Sequence, residues 1–420
     1  MPQRTFLNSV ILVAALALAA HAQPGSLDPI FGSNGVNTTF VSTTQNNLSP
    51  EQAIAIQSDG KILTMADAHL NTGNSFTNVV IRYNADGSLD STFGSGGFLY
   101  MNWNGLNNTF GNAYSLATQV VGSDEKIIVA GSQASGGLRV DRYNSDGSVD
   151  TSFGTNGRTI ITNGGYALAV AIQTDGKIVT IGDVGTMVRL NVDGSLDKAF
   201  GSGGIVQTSL KSRTLGLQST NKIITCGGAT SGRGGIYVER FNSNGTLDGS
   251  FGSSGKASVP SCNNVAIDRS DRVLAGGSVN QANSTKKVTY FDFAVTRLTA
   301  AGQVDNTFGV GGTCAVDIAG FNDTVWSVKV QESGQILLVG TANSTSTDQN
   351  TGVARLNSNG TLDTTFGQNG RVMLDLTTAS EYTRAGAIQL DPACGCEKLI
   401  TSGTAELSGI DYAIAARYIL

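Results

Sequence analysis

Histidine is almost missing from this chain, which has two, His21 and His69. His21 falls in the leader described below, so the mature chain keeps one imidazole. One imidazole cannot build the multi-histidine sites of zinc, copper or non-haem iron proteins. A Ser-His-Asp triad would rest on His69 alone, with no elbow motif beside it. Charge is scarce too. Only 14% of residues are charged, the net charge is −5 and the pI is about 5.1. That balance argues against a nucleic-acid or anionic-membrane partner. Sustained 3.6-residue periodicity is absent beyond the leader, which excludes a helical fold. No linker, charge block or low-complexity tract interrupts residues 23–420, so they read as a single domain.

Residues 1–22 read as a secretory signal. Arg4 supplies the charged start, residues 6–20 an apolar run, and Ala20-His21-Ala22 a small-x-small cleavage site. The apolar run is too short to prefer a membrane span. No Cys follows the cleavage site to take a lipid anchor, and the C-terminus reads as a strand rather than an anchoring tail. Soluble export, to the extracellular space or a periplasm, is the expectation.

What is present is a repeat. Tyr83-Asn84-Ala85-Asp86-Gly87-Ser88-Leu89-Asp90-Ser91-Thr92-Phe93-Gly94 returns along the whole chain. Its second acid recurs as Asp28, Asp90, Asp150, Asp197, Asp248, Asp305 and Asp363, each followed by Phe-Gly. A spacing of roughly 50–60 residues marks one supersecondary unit per copy. A second phrase, Ala53-Ile54-Ala55-Ile56-Gln57-Ser58-Asp59-Gly60-Lys61-Ile62, alternates with the first and returns from Ala169 to Val179. Looser copies occupy residues 217–224, 265–274 and 328–338.

Each unit reads as four short strands. Two apolar runs flank Asp-Gly, a strong hairpin signal because both residues tolerate positive φ. A variable loop leads to a third run such as Asn78 to Tyr83, and a tight turn at Asn84 to Gly87 leads to a fourth strand, expected through Leu89 and Phe93. Period-two patterning with β-branched residues makes the chain all-β, and four strands per unit is the pattern of a propeller blade. The ends complete each other. Ala416-Arg417-Tyr418 aligns with the third strand of the other units, and Gly25 to Gly32 aligns with a fourth. Joining them closes a seven-bladed β-propeller and removes the two exposed sheet edges that the incomplete end units would otherwise present.

The Asn-x-Asp-Gly-Ser-Leu-Asp-x-x-Phe-Gly-x-x-Gly phrase, alternating with Asp-Gly-Lys-Ile, resembles the delta-60 repeat family of β-propellers across essentially the whole mature chain. That resemblance implies the fold and no activity. The copy around Thr299 to Asp305 and the second phrase of the last unit depart from the pattern.

Several residues invite a chemical reading. Asn84-x-Asp86-Gly87 faintly suggests a calcium loop, but the spacing is not that of an EF-hand. Asn242-Ser243-Asn244-Gly245 and Asn357-Ser358-Asn359-Gly360 keep the turn and lose the acid, so the turn is what the repeat preserves. Arg82, Arg142, Arg189, Arg240, Arg297, Arg355 and Arg417 recur once per unit. A sialidase-like arginine cluster is one interpretation; an Arg–carboxylate pair across each three-four hairpin is the other. A feature of every blade belongs to the scaffold, and the sialidase Asp-box places a residue between Asp and Gly that these copies lack. Phe31, Phe93, Phe153, Phe200, Phe251, Phe308 and Phe366 read as blade-to-blade core.

Five cysteines remain: Cys226, Cys262, Cys314, Cys394 and Cys396. An exported chain should pair some of them, and an odd total leaves at least one thiol free or intermolecular. Cys394-Gly395-Cys396, in an expanded turn, reads as a local bridge or a metal pair. Sequons at Asn37, Asn107, Asn283, Asn322 and Asn343 matter only in a eukaryotic secretory host.

The variable connections share one face of the disc. Their long members are residues 66–77, 98–114, 277–291, 340–350 and 402–411. Two function classes follow. One is a monomeric, non-enzymatic scaffold that binds a protein or glycan through that face. The other is a propeller enzyme (lyase, lactonase or hydrolase) with carboxylates and a metal in the central channel. The first is preferred, with no catalytic, cofactor or metal residue assigned.

Overall fold

The computed structural model describes residues 23–41, 53–69, 76–101, 103, 112–133, 136–230, 235–283, 288–376, 381–407 and 410–420. The leader (residues 1–22), Asn107 and parts of the variable loops lie outside them. Among the described residues the chain forms seven antiparallel four-stranded sheets and no helix. No described helix is therefore long and apolar enough to cross a membrane.

Blade one is typical. Ile54–Ile56, Ile62–His69, Phe76–Tyr83 and Phe98–Met101 pair in chain order from the axis outward. The first two strands meet at the Asp-Gly turn. Gly60 sits there at φ 84°, and blades four and five place Asn221 and Asp271 at φ 58° and 57° in its stead. These residue types tolerate the left-handed region, which keeps the hairpin when glycine is lost.

The fourth strand is not where the sequence places it. Leu89 makes only an isolated bridge to Tyr83, and the strand begins after the Gly-Gly pair, at Phe98. The intervening segment turns because Asp90 bends it. One oxygen of the Asp90 carboxylate accepts the Thr92 N–H at 3.1 Å and the Thr92 hydroxyl at 2.6 Å. The resulting turn drops Phe93 into the space between blades, fully buried.

Closure occurs as expected, again displaced by a few residues. Glu381–Asp391, Cys396–Leu407 and Ile410–Ile419 form three strands of blade seven, and Val36–Thr39 supplies the fourth. Val36 pairs with Ala416 and Thr39 with Ala413. Residues 25–32, expected to be that strand, instead form its turn. Within that turn Leu27 bridges Tyr418, and Asp28 N–H donates to the Arg417 carbonyl at 2.8 Å.

Neighbouring blades are stitched by the repeat. The amide after each core Phe donates to the turn of the next blade, as Gly94 to Asp146 (2.8 Å), Gly154 to Asp193 (2.7 Å) and Gly32 to Asp86 (2.9 Å). The Phe ring lies flat on the glycine of that same turn. A Cβ on Gly87 would sit 2.7 Å from the Phe31 ring, so only glycine fits there.

Candidate functional site

The recurring arginines are structural. In blade two Arg142 donates from Nε to Asp150 at 2.8 Å, to the Gln119 side chain at 3.0 Å and to the Val192 carbonyl of blade three at 2.5 Å. Its guanidinium also stands 4.7 Å over the Phe153 ring. The Arg–Asp contact recurs in all seven blades, ending with Arg417 and Asp28 at 3.0 Å. A strand-two cation joins it, as Lys61 does with Asp90 at 3.2 Å and Lys222 with Asp248 at 2.7 Å. That pairing explains the Lys of the Asp-Gly-Lys phrase, which sequence reading left unexplained. Burial alone would raise these carboxyls. Hydrogen bonds from the residue two positions on, with the nearby cations, instead hold Asp90, Asp150, Asp197 and Asp248 below the usual range.

The glutamine that ends the first strand belongs to the same network. Gln119, Gln173, Gln218 and Gln389 each donate to a turn carbonyl of the following blade, with Gln389 reaching Gly60 at 2.7 Å across the closure. Nothing in this repeated set is free to act on a ligand. His69 ends the second strand of blade one, and its side chain lies outside the described residues.

Cysteines pair twice. Cys394 bonds Cys396 as the local-bridge reading expects, and Cys226 bonds Cys262, tying blade four to the connection into blade five. Cys314 is free, and burial pushes its thiol up to about 11, so it is a poor nucleophile at neutral pH. The Asn37 amide donates to the Gly87 carbonyl at 2.7 Å, whereas Asn322 is exposed.

Blade-specific chemistry does exist, and sequence reading missed it. Asp292, Asp317 and Asp323 bring carboxylate oxygens within 4.8 Å of one another on the variable-loop side of blades five and six. They are spread over two sheets, so no linear motif announces them. Burial pushes Asp323 up to about 7. The Ile318 and Asn343 amides oppose that rise, and the other two acids add to it. Asp292 rises to about 6 through burial and then Asp317. Such a group can share protons or offer hard oxygen ligands. A raised carboxyl pKa means the folded state binds more protons than the unfolded one. Stability from Asp292 is therefore full below about pH 4 and lost as pH rises through about 6. Asp292→Asn should raise the melting point at pH 8, by the equivalent of up to about 2 kcal/mol after solvent screening, and leave it unchanged at pH 3.5. Equal shifts at both pH values in a thermal melt series would refute the coupling.

Blade two holds a second unrepeated feature. Arg139 forms a two-point pair with Asp141 at 2.9 and 2.6 Å and stands 4.3 Å over the Trp103 ring. Arg139, Asp141 and Trp103 are all buried, so they join blades one and two rather than face a ligand.

The two faces of the disc differ in what they expose. The first strand of each blade starts at the variable-loop face, the third starts there and the fourth ends there. Phe40, Tyr100, Tyr166, Phe291 and Tyr382 are the exposed aromatics among the described residues, and all lie at that face. Tyr114 stacks on Tyr166 at 6.4 Å and Tyr290 packs on Phe321 at 5.3 Å beside them. Ile30, Val120, Val149, Leu247 and Val310, on the opposite face or its rim, are aliphatic.

A family model described as a domain of unknown function (DUF5122) beta-propeller matches residues 57–93, 122–153, 173–200, 218–251 and 331–366. The chain is a β-propeller repeat protein. The matched segments run from the strand one-two turn to the core Phe, and so cover the stitching network of five blades of the propeller. No curated protein matches the chain. Among solved structures the propeller is similar to Raptor of Chaetomium thermophilum, at 10% identity and a TM-score of 0.49, over 88% of this chain and 28% of that one. It thus spans under a third of Raptor's length. It is also similar to YCF48 in a structure bound to D1 peptide, at 9% identity and a TM-score of 0.49, over 94% of this chain and 99% of that one.

Proposed function

We propose that this propeller is an exported, monomeric, non-enzymatic scaffold that binds a protein or glycan through its variable-loop face. The observation that supports this reading is the segregation of exposed aromatics to that face. Tyrosine and phenylalanine supply large, rigid contact area at low entropic cost, and they dominate recognition surfaces where they are exposed together. The repeated charges, by contrast, are spent inside the ring. Two disulfides support passage through an oxidising compartment.

A glycan and peptide array probed with the full mature chain tests the proposal. Tyr166→Ala and Phe291→Ala should each weaken the strongest signal by roughly tenfold or more, as loss of an aromatic anchor does. Val310→Ala, at an exposed aliphatic position on the other face, should leave it unchanged. Turnover of an array component, or loss of signal in the Val310 variant alone, would overturn the reading.

A further inference from the structure

The two disulfides differ in what they do for the fold. Cys226 and Cys262 stand 36 residues apart, and their bond packs in the core shared by blades four and five, with Cys226 buried. Cys394 and Cys396 stand 2 apart, and both are exposed. In the chain-entropy account a crosslink stabilises a fold by restricting the unfolded chain, and the shorter the loop it closes, the less it contributes. A bridge across a single residue contributes least. By linkage, a fold that is little stabilised by a bridge does little to protect that bridge from reduction.

Nor does the turn depend on it. Asp391 pairs with Cys396 in the ladder, and the Asp391 carbonyl accepts the Cys394 and Gly395 amides at 3.3 and 2.7 Å. The strand one-two turns of the other six blades close with no cysteine at all. Access to the bridge is open, because a Cβ on Gly395 would meet no atom within 4 Å. The two sulfurs are also unlike. Cys394 Sγ accepts the Cys396 N–H at 3.3 Å, and a donor aimed at one sulfur stabilises negative charge there. The Asp391 carboxylate lies within 4.8 Å of both sulfurs and opposes a thiolate. Its charge is shared, however, with the Ala393 N–H at 2.9 Å and with Arg417 at 3.8 Å.

We propose that Cys394–Cys396 is an exchange-active disulfide that oxidises exposed peptide dithiols, once per chain. It lies on the face opposite the variable loops and is independent of the recognition reading. A thiolate of the substrate attacks Cys396 Sγ, the bond between the two protein sulfurs breaks, and Cys394 leaves as the thiolate that its amide donor stabilises. The second substrate thiolate then attacks the first substrate sulfur in the mixed disulfide, and Cys396 leaves in turn. The substrate gives up two electrons and two protons as its own disulfide forms, and Cys394 and Cys396 take them up as thiols. The protein disulfide is itself the oxidant. Exposed disulfides are the more oxidising and labile ones, whereas buried structural ones resist reduction.

Equilibrating the full mature chain in glutathione buffers of graded redox ratio, then mapping alkylated thiols by mass spectrometry, tests the proposal. Cys394–Cys396 should be half reduced in a buffer at least about a hundredfold more oxidising than the one that opens Cys226–Cys262. Under argon, the oxidised chain should convert about one equivalent of a synthetic dithiol peptide to its disulfide. After reduction, limiting alkylating reagent should mark Cys394 before Cys396. A Cys394→Ser/Cys396→Ser double variant should lose the peptide oxidation and keep the melting point. Cys396 marked first would overturn the assignment of Cys394 as the leaving sulfur. Both bridges opening at one ratio, a peptide left reduced, or a double variant melting well below the native chain would each overturn the proposal and leave the bridge a local brace.

Discussion

A chain lacking residues 23–39 should melt at least 10 °C below the full mature chain and elute as oligomer or aggregate. Those residues carry the fourth strand of blade seven, from Val36 to Thr39, and the turn that positions it. Deleting them removes Phe31, which is fully buried, at a cost of about 2–3 kcal/mol. It also removes ladder and turn hydrogen bonds worth about 1 kcal/mol each. Asp28 goes with them, leaving Arg417 and Lys398 without the carboxylate they reach at 3.0 and 3.1 Å. Arg417 keeps only its longer contact to Asp391, at 3.8 Å, and breaking a buried pair costs about 3–5 kcal/mol. Together these losses approach the whole net stability of an ordinary domain, about 5–15 kcal/mol. The bared edge of Ile410–Ile419 would then offer unpaired backbone groups to other chains. A truncated chain that stays monomeric with an unchanged melting temperature would mean that the ends are not joined.

The second large effect is expected at Arg142. Arg142→Ala should cost about 3–5 kcal/mol, the penalty for breaking a buried pair. Asp150→Ala should cost less. In Asp150→Ala, Arg142 keeps its bonds to Gln119 and the Val192 carbonyl and its cover over Phe153, whereas Arg142→Ala loses all three. The double variant should fall short of the sum by about 1–3 kcal/mol. Arg142→Lys should not rescue, because one ammonium cannot serve three acceptors and a ring at once. Denaturant melts of the four variants decide it, and additive losses would show that the two residues do not couple.

The scaffold was legible because it is repeated. One residue type returning at each Asp or Arg position can be read from one chain, since seven copies supply their own comparison. The fourth strand was misplaced for a local reason. Leu89 and Phe93 alternate as a strand would, but Asp90 accepts the Thr92 amide and turns the chain before a ladder can form. The site was illegible for the opposite reason. Asp292, Asp317 and Asp323 lie in different strands and connections of two blades, and only the packing of one sheet on the next unites them.

Amide hydrogen exchange of the full mature chain, with and without its strongest array ligand, tests the recognition claim most directly. Protection should rise at the starts of the inner strands, as in Ala113–Val121, Asp323–Val330 and Glu381–Asp391, at the face that carries the exposed aromatics. The turns from Asn84 to Gly87 and their equivalents, on the opposite face, should exchange as before. Protection confined to those turns, with the inner-strand starts unchanged, would contradict the account.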